Sequence, residues 1–261
     1  MTNKEILECA MKQSAIDLNC KASDFLQKDN VIVASKKDDR ARRYLPLPFD
    51  CDMVTYGTNI VATINEKYRE VVEAYLHKVD IEHCFETPNI YRLNNAFSPY
   101  GISVCFQAEY FLPDVNLLKK PECAYELRVL EQKDFVDLYD GTWSNALCED
   151  RKELDVLGVG AYDQGKLIAL AGCSADCDTM WQIGIDVLPE YRRQGIASIL
   201  TSRLANEIIE RGKVPFYCAA WCNIKSVRNA IRSGFRPGWM EMTVRSNEFI
   251  QKMTLTQQRQ S

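Results

Sequence analysis

The segment from Trp181 to Leu204 has the residue types and the order needed to bind a phosphate group. It reads as an apolar strand, a tight loop and the start of an amphipathic helix. The unpaired N–H groups of a first helical turn and the positive end of the helix dipole favour anions. Gly195 lets the backbone bend close to a ligand, and two loop arginines add positive charge. The expected pyrophosphate-binding residues are Arg192, Arg193, Gln194, Gly195, Ile196, Ala197 and Ser198.

Two motifs in the correct order resemble those of the GNAT superfamily of acyl-CoA-dependent N-acyltransferases. Arg192 to Ala197 is similar to the superfamily's pyrophosphate loop, Arg/Gln-x-x-Gly-x-Gly/Ala, and it follows a strand exit of the form Val187-x-Pro189. Downstream, Asn223-Ile-Lys-Ser226, followed by Ser233-Gly-Phe235, resembles the superfamily's Asn-x-x-Ser/Ala helix that ends in Gly-Phe. The resemblance covers about residues 124–245. A P-loop nucleotide site is excluded because no Lys-Ser/Thr follows the loop glycine.

The resemblance implies an α+β fold in which a mixed, mostly antiparallel sheet is flanked by helices. The sheet would splay between the strand ending at Leu188 and a strand at 214–220. The pantetheine arm of acetyl-CoA, the implied cosubstrate, would lie in this opening. Backbone groups of Val187 and Leu188 would bind the arm as a neighbouring strand does. Asn223 and Ser226 would lie close to its other side.

The expected activity is direct transfer of an acetyl or other small acyl group from acyl-CoA to a primary amine. Such a transfer needs an unprotonated amine, a stabilised oxyanion and a proton for the departing thiolate. By resemblance, a backbone N–H near Val187 would hold the oxyanion. Strand alternation places Asp186 with Gln182 and Gly184 on one face of an apolar strand. Burial raises the pKa of a carboxyl group, so Asp186 is a candidate base, with a hydrogen-bonded structural role as the alternative.

The sequence departs from the superfamily at the proton donor. The tyrosine that many members carry five residues before the final phenylalanine falls on Ala230. Ser226 or water then becomes the candidate donor, although a serine in a first helical turn also suits a local cap. The alternative function is a noncatalytic module that binds or senses acyl-CoA, and a scaffold that binds no CoA is a third.

Several other residues have both a functional and a structural interpretation, and the structural one is favoured for each. Asp176 and Asp178 either form a turn or bind the amine. Arg228 and Arg232 either reach a phosphate or lie on a solvated helix face. The charged run Lys36–Arg43 either contacts phosphate or forms a solvated loop. Four aromatic residues belong either to a core or to an acceptor pocket: Trp181, Trp221, Phe235 and Trp239.

Hydrophobic periodicity and turn signals predict the elements that position these residues. We expect a smaller α+β domain of unassigned role over 1–120 and a GNAT domain over 121–261, separated near Pro121. The first domain should hold a leading helix, strands at 31–34, 53–56, 60–64 and 102–112, and a helix at 67–78. The second should hold strands at 125–131, 155–162, 166–174, 180–188, 214–220 and 235–244, helical stretches up to 149, and helices at 196–211 and 224–232.

Composition limits the classes of protein and partner. The 261 residues are 46% hydrophobic and 26% charged, with a formal net charge of -4, which is typical of globular proteins. A mildly acidic chain disfavours nucleic acid and suits a small-molecule or peptide amine as acceptor. No apolar run nears the roughly 20 residues of a membrane span, and charges interrupt the N-terminus, so we expect no membrane partner and a cytoplasmic location.

The cysteine count bears on metals and redox state. The eleven cysteines are interpreted as mostly reduced, buried thiols. Cys173/Cys177 and Cys218/Cys222 have spacings that could hold zinc, but the chain has only two histidines and neither lies near these pairs, so we expect no metal site. Nothing in the sequence sets the oligomeric state.

Overall fold

The computed structural model describes residues 1–120, 122–220 and 222–260 of the chain. It separates into two compact units. Unit 1 comprises Met1–Ala10 and Tyr110–Gly238, and unit 2 comprises Met11–Glu109 and Trp239–Ser261. This division differs from the boundary expected near Pro121, which itself lies outside the described residues. One unit boundary falls inside the leading helix, at Ala10/Met11, the other two fall inside long strands, and the C-terminal segment joins unit 2.

The elements are numbered in chain order. The strands are β1 (Val31–Ala34), β2 (Cys51–Thr55), β3 (Val61–Ile64), β4 (Ile102–Pro113), β5 (Glu126–Glu131), β6 (Asp155–Asp163), β7 (Lys166–Ser174), β8 (Met180–Val187), β9 (Val214–Ala219) and β10 (Phe235–Ser246). The α-helices are α1 (Asn3–Leu18), α2 (Arg69–Leu76), α3 (Thr87–Phe97), α4 (Ile196–Glu210), α5 (Ile224–Arg232) and α6 (Asn247–Gln260). The predicted strands are confirmed to within a few residues at each end.

The prediction of helical stretches up to 149 was wrong in type. The segment contains a 3-10 helix at Gln132–Leu138, another at Glu149–Leu154, and turns between them. Gly141, with a φ of +84°, interrupts any continuous α-helix. The intervening loop instead packs Trp143, Ala146 and Leu147 into a small apolar cluster. Tertiary packing therefore overrides local helix propensity here.

Unit 1 contains an antiparallel meander that ends in a parallel pair. The strand order is β5-β6-β7-β8-β9, with only β8 and β9 parallel. The predicted hairpin between β6 and β7 is present, with positive φ values at Gln164 and Gly165. Helix α4 packs on the sheet through a 3.6-residue stripe that the sequence predicted, and it buries Ile196, Leu200, Leu204 and Ile208.

Unit 2 contains the strand order β1-β3-β2-β10, with α2 and α3 on one face. That face is apolar, because Met53 pairs with Ala62 on one side and with Met242 on the other. The opposite face is polar: Asp52 pairs in register with Thr63 and Thr243. Both units are thus α+β, with mostly antiparallel strands and flanking helices, as the sequence predicted.

A buried ion pair in unit 2 corrects the interpretation of Lys36–Arg43 as a solvated loop. Arg42 is only 3% exposed. Its Nε lies 2.6 Å from Asp17 Oδ2 and its Nη2 lies 2.9 Å from Glu241 Oε2. Arg40, by contrast, is exposed and pairs with Asp38, as expected of a solvated loop. The sequence could not distinguish the two arginines because both acidic partners of Arg42 lie far away in the chain.

No helix within the described ranges combines the length and the apolar character that crossing a bilayer requires.

Candidate functional site

The loop between β8 and α4 has a backbone shaped for an anion. Gly195 caps α4 with a φ of +81°, and Arg193 also has a positive φ, of +65°. A Cβ atom built on Gly195 meets nothing within 4 Å, so the glycine faces open space. The first bond of the helix runs from Ile199 N to Gly195 O, which leaves the earlier N–H groups of the first turn directed outward. Successive outward amides of this kind form an anion-binding concavity.

Six of the seven residues predicted to bind pyrophosphate, all except Gln194, line one pocket of about 430 Å³. Its walls include the loop, the first turn of α4 and one face of α5. Arg228 and Arg232, which the sequence left between a phosphate contact and a solvated face, lie on this wall together with Lys225. The side chain of Gln194 points elsewhere and accepts a hydrogen bond from Tyr125 Oη at 2.8 Å.

The sheet of unit 1 opens beside this pocket, as the resemblance implied. The parallel ladder between β8 and β9 ends where Ile183 pairs with Tyr217. Both strands continue beyond that pair, β8 to Val187 and β9 to Ala219. A cleft of about 470 Å³ lies between their separated ends. Val187, Arg192 and Ala197 line both the cleft and the loop pocket, so the two are continuous.

Backbone groups of β8 face the cleft at every second residue. Leu188 N donates to Ile168 O at 3.0 Å, which fixes the phase of the antiparallel ladder with β7. The main-chain groups of Ile185 and Val187 therefore point away from β7 and into the cleft. Val187 O already accepts a hydrogen bond from Arg192 Nε at 2.9 Å. Of the two backbone positions predicted from the sequence, Val187 faces the cleft and Leu188 does not. The same two-residue alternation, applied to the sequence, would have identified Ile185 as a second residue whose main-chain groups face the cleft.

Asp186 lies half-buried at the cleft, with both carboxylate oxygens engaged. Oδ2 accepts from Asn145 N at 2.8 Å and Ala146 N at 3.0 Å, and Oδ1 accepts from Asn145 Nδ2 at 2.6 Å. These contacts are those expected if Asp186 has a hydrogen-bonded structural role, which was one of its two interpretations from the sequence. They hold the loop at 143–147 against β8.

Two glycines let this loop approach the sheet. Gly172 of β7 pairs in register with Gly184 of β8. A Cβ on Gly184 would lie 1.7 Å from Asn145 O, and one on Gly172 would lie 2.1 Å from Ala146 O. Any side chain at either position would therefore displace the loop. Asn145 lines the cleft and was missed from the sequence; the glycines in two neighbouring strands were the available signal.

Tyr217 and Ser226 form a hydrogen-bonded pair on the wall of the cleft opposite β8. Their hydroxyl oxygens lie 2.8 Å apart, and Tyr217 is only 4% exposed. Burial raises the pKa of the Tyr217 phenol, so it keeps its proton at neutral pH. Ser226 N donates to Asn223 Oδ1 at 3.2 Å, so Asn223 caps α5. Ala230, at the expected tyrosine position, is buried in the core.

The remaining sequence candidates divide between core and surface. Asp176 is buried and accepts hydrogen bonds from Arg151 and Ser174, whereas Asp178 is exposed. Phe235 belongs to the core of unit 1, with Trp181 packed against it, and Trp239 stacks on Tyr56 in unit 2. Trp221 lies outside the described residues. In the described part of the chain, no group of three His, Cys, Asp or Glu side chains is placed to hold a metal ion.

The chain belongs to the GNAT acetyltransferase family, whose profile matches residues 57–238, more than half of its length. The match begins well before the motifs that suggested the superfamily, inside unit 2. No curated protein matches the chain.

Similar solved structures come from several bacteria. A GCN5-related N-acetyltransferase-like protein from Streptococcus suis is 19% identical, over 59% of this chain and 69% of its own, with a TM-score of 0.42. A GNAT-family acetyltransferase from Colwellia psychrerythraea is 15% identical, over 55% and 56%, with a TM-score of 0.43. A GCN5-related N-acetyltransferase from Kribbella flavida is 15% identical, over 58% and 62%, with a TM-score of 0.45. The chain spans less than two thirds of the length of the Colwellia psychrerythraea and Kribbella flavida proteins.

Proposed function

We propose that the protein transfers an acetyl or similarly small acyl group from acyl-CoA to a primary amine by direct attack in a ternary complex. The observation that carries the proposal is the cleft that opens where β8 and β9 separate after Ile183 and Tyr217. This cleft runs into the pocket at the start of α4. CoA has two corresponding parts, an extended pantetheine arm with the thioester and a nucleotide with phosphates. Membership of the GNAT acetyltransferase family supports the same donor.

The pantetheine arm binds along the open edge of β8. The outward main-chain groups of Ile185 and Val187 pair with the amides of the arm, as β8 would pair with an added strand. The N–H of Val187 then lies near the thioester carbonyl and stabilises the oxyanion of the tetrahedral intermediate. Arg192 holds the carbonyl of Val187 at 2.9 Å and so fixes the end of the strand.

Tyr217 supplies the proton for the departing thiolate. When the amine attacks the thioester, a C–N bond forms, the C–S bond breaks and the sulfur of CoA leaves as a thiolate that takes up a proton. The Tyr217 phenol faces this cleft, remains protonated at neutral pH and is oriented by Ser226. Tyr217, with Ser226 as its partner, replaces the tyrosine that is absent at Ala230.

Asp186 positions the loop at the acceptor end of the cleft. The alternative role is that of a general base, and the pH dependence of turnover distinguishes the two roles. Its three hydrogen bonds fix Asn145, which lines the cleft near Gly184. The acceptor, a small-molecule or peptide amine, enters beside this loop. Alignment of two bound reactants can supply about 7–11 kcal/mol, so the reaction tolerates a modest base.

Calorimetric titration with acetyl-CoA of the wild type, Gly195→Ala and Gly165→Ala tests the proposal. Both glycines have left-handed backbones, with φ of +81° and +86°, and open space around a built Cβ. Both substitutions therefore carry the same strain of about 1–2 kcal/mol, but only Gly195 lies at the pocket. We expect Gly165→Ala to bind as the wild type does and Gly195→Ala to bind at least about tenfold more weakly.

The outcomes separate the candidate functions. A wild type that does not bind acetyl-CoA refutes the proposal and favours the scaffold. Binding without thiol release across a panel of amines favours the noncatalytic acyl-CoA-binding module, which the alanine at position 230 also suggests.

A further inference from the structure

A row of three cations follows one face of α5. Lys225, Arg228 and Arg232 are spaced at i, i+3 and i+7, which places them on one side of the helix over about 10 Å. All three are exposed. They line the same pocket as Gly195 and Ser198 at the start of α4. We call them the α5 cation row.

The α5 cation row lacks acidic partners. No Asp or Glu lines the pocket. Within residues 1–120, 122–220 and 222–255, no side chain forms a salt bridge with Lys225, Arg228 or Arg232. The neighbouring helix shows the contrast, because Arg203 and Arg211 of α4 both pair with Glu207. The row therefore carries three charges that the surrounding protein does not neutralise.

The position of the row adds to its positive potential. The N-terminus of α4 contributes about half a positive charge through its unpaired amides. Arg192 and Arg193 lie in the same pocket. Like charges gathered in one concavity repel each other and raise the local concentration of anions. An arrangement of this kind favours the binding of a ligand that carries several negative charges.

The charge in the pocket exceeds what a pyrophosphate requires. A pyrophosphate diester has two negative charges, which the loop amides with Arg192 and Arg193 already match. A phosphate monoester adds about -1.5 to -2 at neutral pH. CoA carries one such group on the 3′-oxygen of its ribose. We propose that Lys225, Arg228 and Arg232 form a separate subsite for the 3′-phosphate of CoA. This assignment rests on the proposed function and adds selectivity for CoA over its dephosphorylated form.

Calorimetric titration with CoA and with 3′-dephospho-CoA tests the subsite. The wild type should bind CoA about tenfold to hundredfold more tightly than 3′-dephospho-CoA, as expected from one or two charge-assisted hydrogen bonds. In Arg228→Gln/Arg232→Gln, which keeps only Lys225 of the row, the preference for CoA should fall to about threefold or less, while the affinity for 3′-dephospho-CoA stays within about threefold of the wild type. The control Arg203→Gln/Arg211→Gln removes the same charge outside the pocket and should keep the preference.

Each outcome decides between the subsite and the proposed function. Equal wild-type affinity for the two ligands overturns the subsite and leaves the proposed function standing. A wild type that binds neither ligand overturns both. A preference that stays at the wild-type value in Arg228→Gln/Arg232→Gln refutes the assignment to the α5 cation row. If that variant loses affinity for 3′-dephospho-CoA to the same extent, these arginines bind the pyrophosphate instead.

Discussion

Asp186→Asn removes one negative charge without changing the size of the side chain. In the wild type, the carboxylate accepts three N–H groups from Asn145 and Ala146, at 2.6–3.0 Å. An asparagine keeps one acceptor oxygen. Its amide nitrogen then faces the side-chain amide of Asn145, which must turn over to offer its oxygen as the acceptor.

The size of the effect follows from these contacts. Three hydrogen bonds to a charged acceptor, worth about 1.5–3 kcal/mol each, become neutral bonds worth about 0.5–1.5 kcal/mol each. Because Asn145 is exposed and Asp186 is half-buried, solvent replaces part of the loss. We expect the free energy of unfolding of Asp186→Asn to fall by about 2 kcal/mol. The loop at 143–147 should open more often than in the wild type.

Urea unfolding and amide hydrogen exchange measure these two effects. Exchange at Asn145 and Ala146 should accelerate, because their N–H groups lose the carboxylate. Asp178→Asn is the control: Asp178 is exposed in the turn before β8 and should change the free energy of unfolding by less than about 0.5 kcal/mol. An Asp186→Asn variant with wild-type unfolding and exchange, but altered pH dependence of turnover, would refute the positioning role and support the general base.

Two further substitutions test the cleft and unit 2. Tyr217→Phe should lower turnover by about a hundredfold with little change in acetyl-CoA affinity; wild-type thiol release with the same amine would remove Tyr217 as proton donor. Burial and the charge of Glu241 raise the pKa of Asp52 well above its usual range. Stability from such a group is complete below the unfolded-state pKa of about 3.9 and is lost as pH rises through the folded-state pKa. Asp52→Asn, which keeps an acceptor for Thr243, should therefore flatten the decline in unfolding free energy above about pH 4, by up to about 1.4 kcal/mol per pH unit; parallel curves would contradict this.

The family assignment leaves the proton donor as the main point of chemical interest. The position at which the superfamily motif places a tyrosine is a buried alanine, Ala230. A different tyrosine, on β9 rather than α5, faces the cleft with its hydroxyl oxygen 2.8 Å from Ser226 Oγ. In the proposed function the proton donor therefore comes from β9, because residues of both β9 and α5 line the cleft.

Sequence reasoning was most successful where the controlling interactions are local. The loop glycine, the docking stripe of α4 and the hairpin at Gln164 and Gly165 each depend on residues within a few positions of one another. It failed where partners are distant. Asn145 and Asp186 are 41 residues apart, and Arg42 and Glu241 are 199 apart. No periodicity or turn signal encodes such pairs.

The sequence by itself determined the class of fold, the order of the strands in the meander and the position of the loop and helix start at Gly195. These follow from hydrophobic period, turn chemistry and backbone freedom at single residues. Only the tertiary structure decided which side chains meet in the cleft. It separated β8 from β9, brought Tyr217 to Ser226, and placed Lys225, Arg228 and Arg232 beside the start of α4. Those contacts depend on how strands and helices pack, and the packing is a property of the whole unit rather than of any one segment.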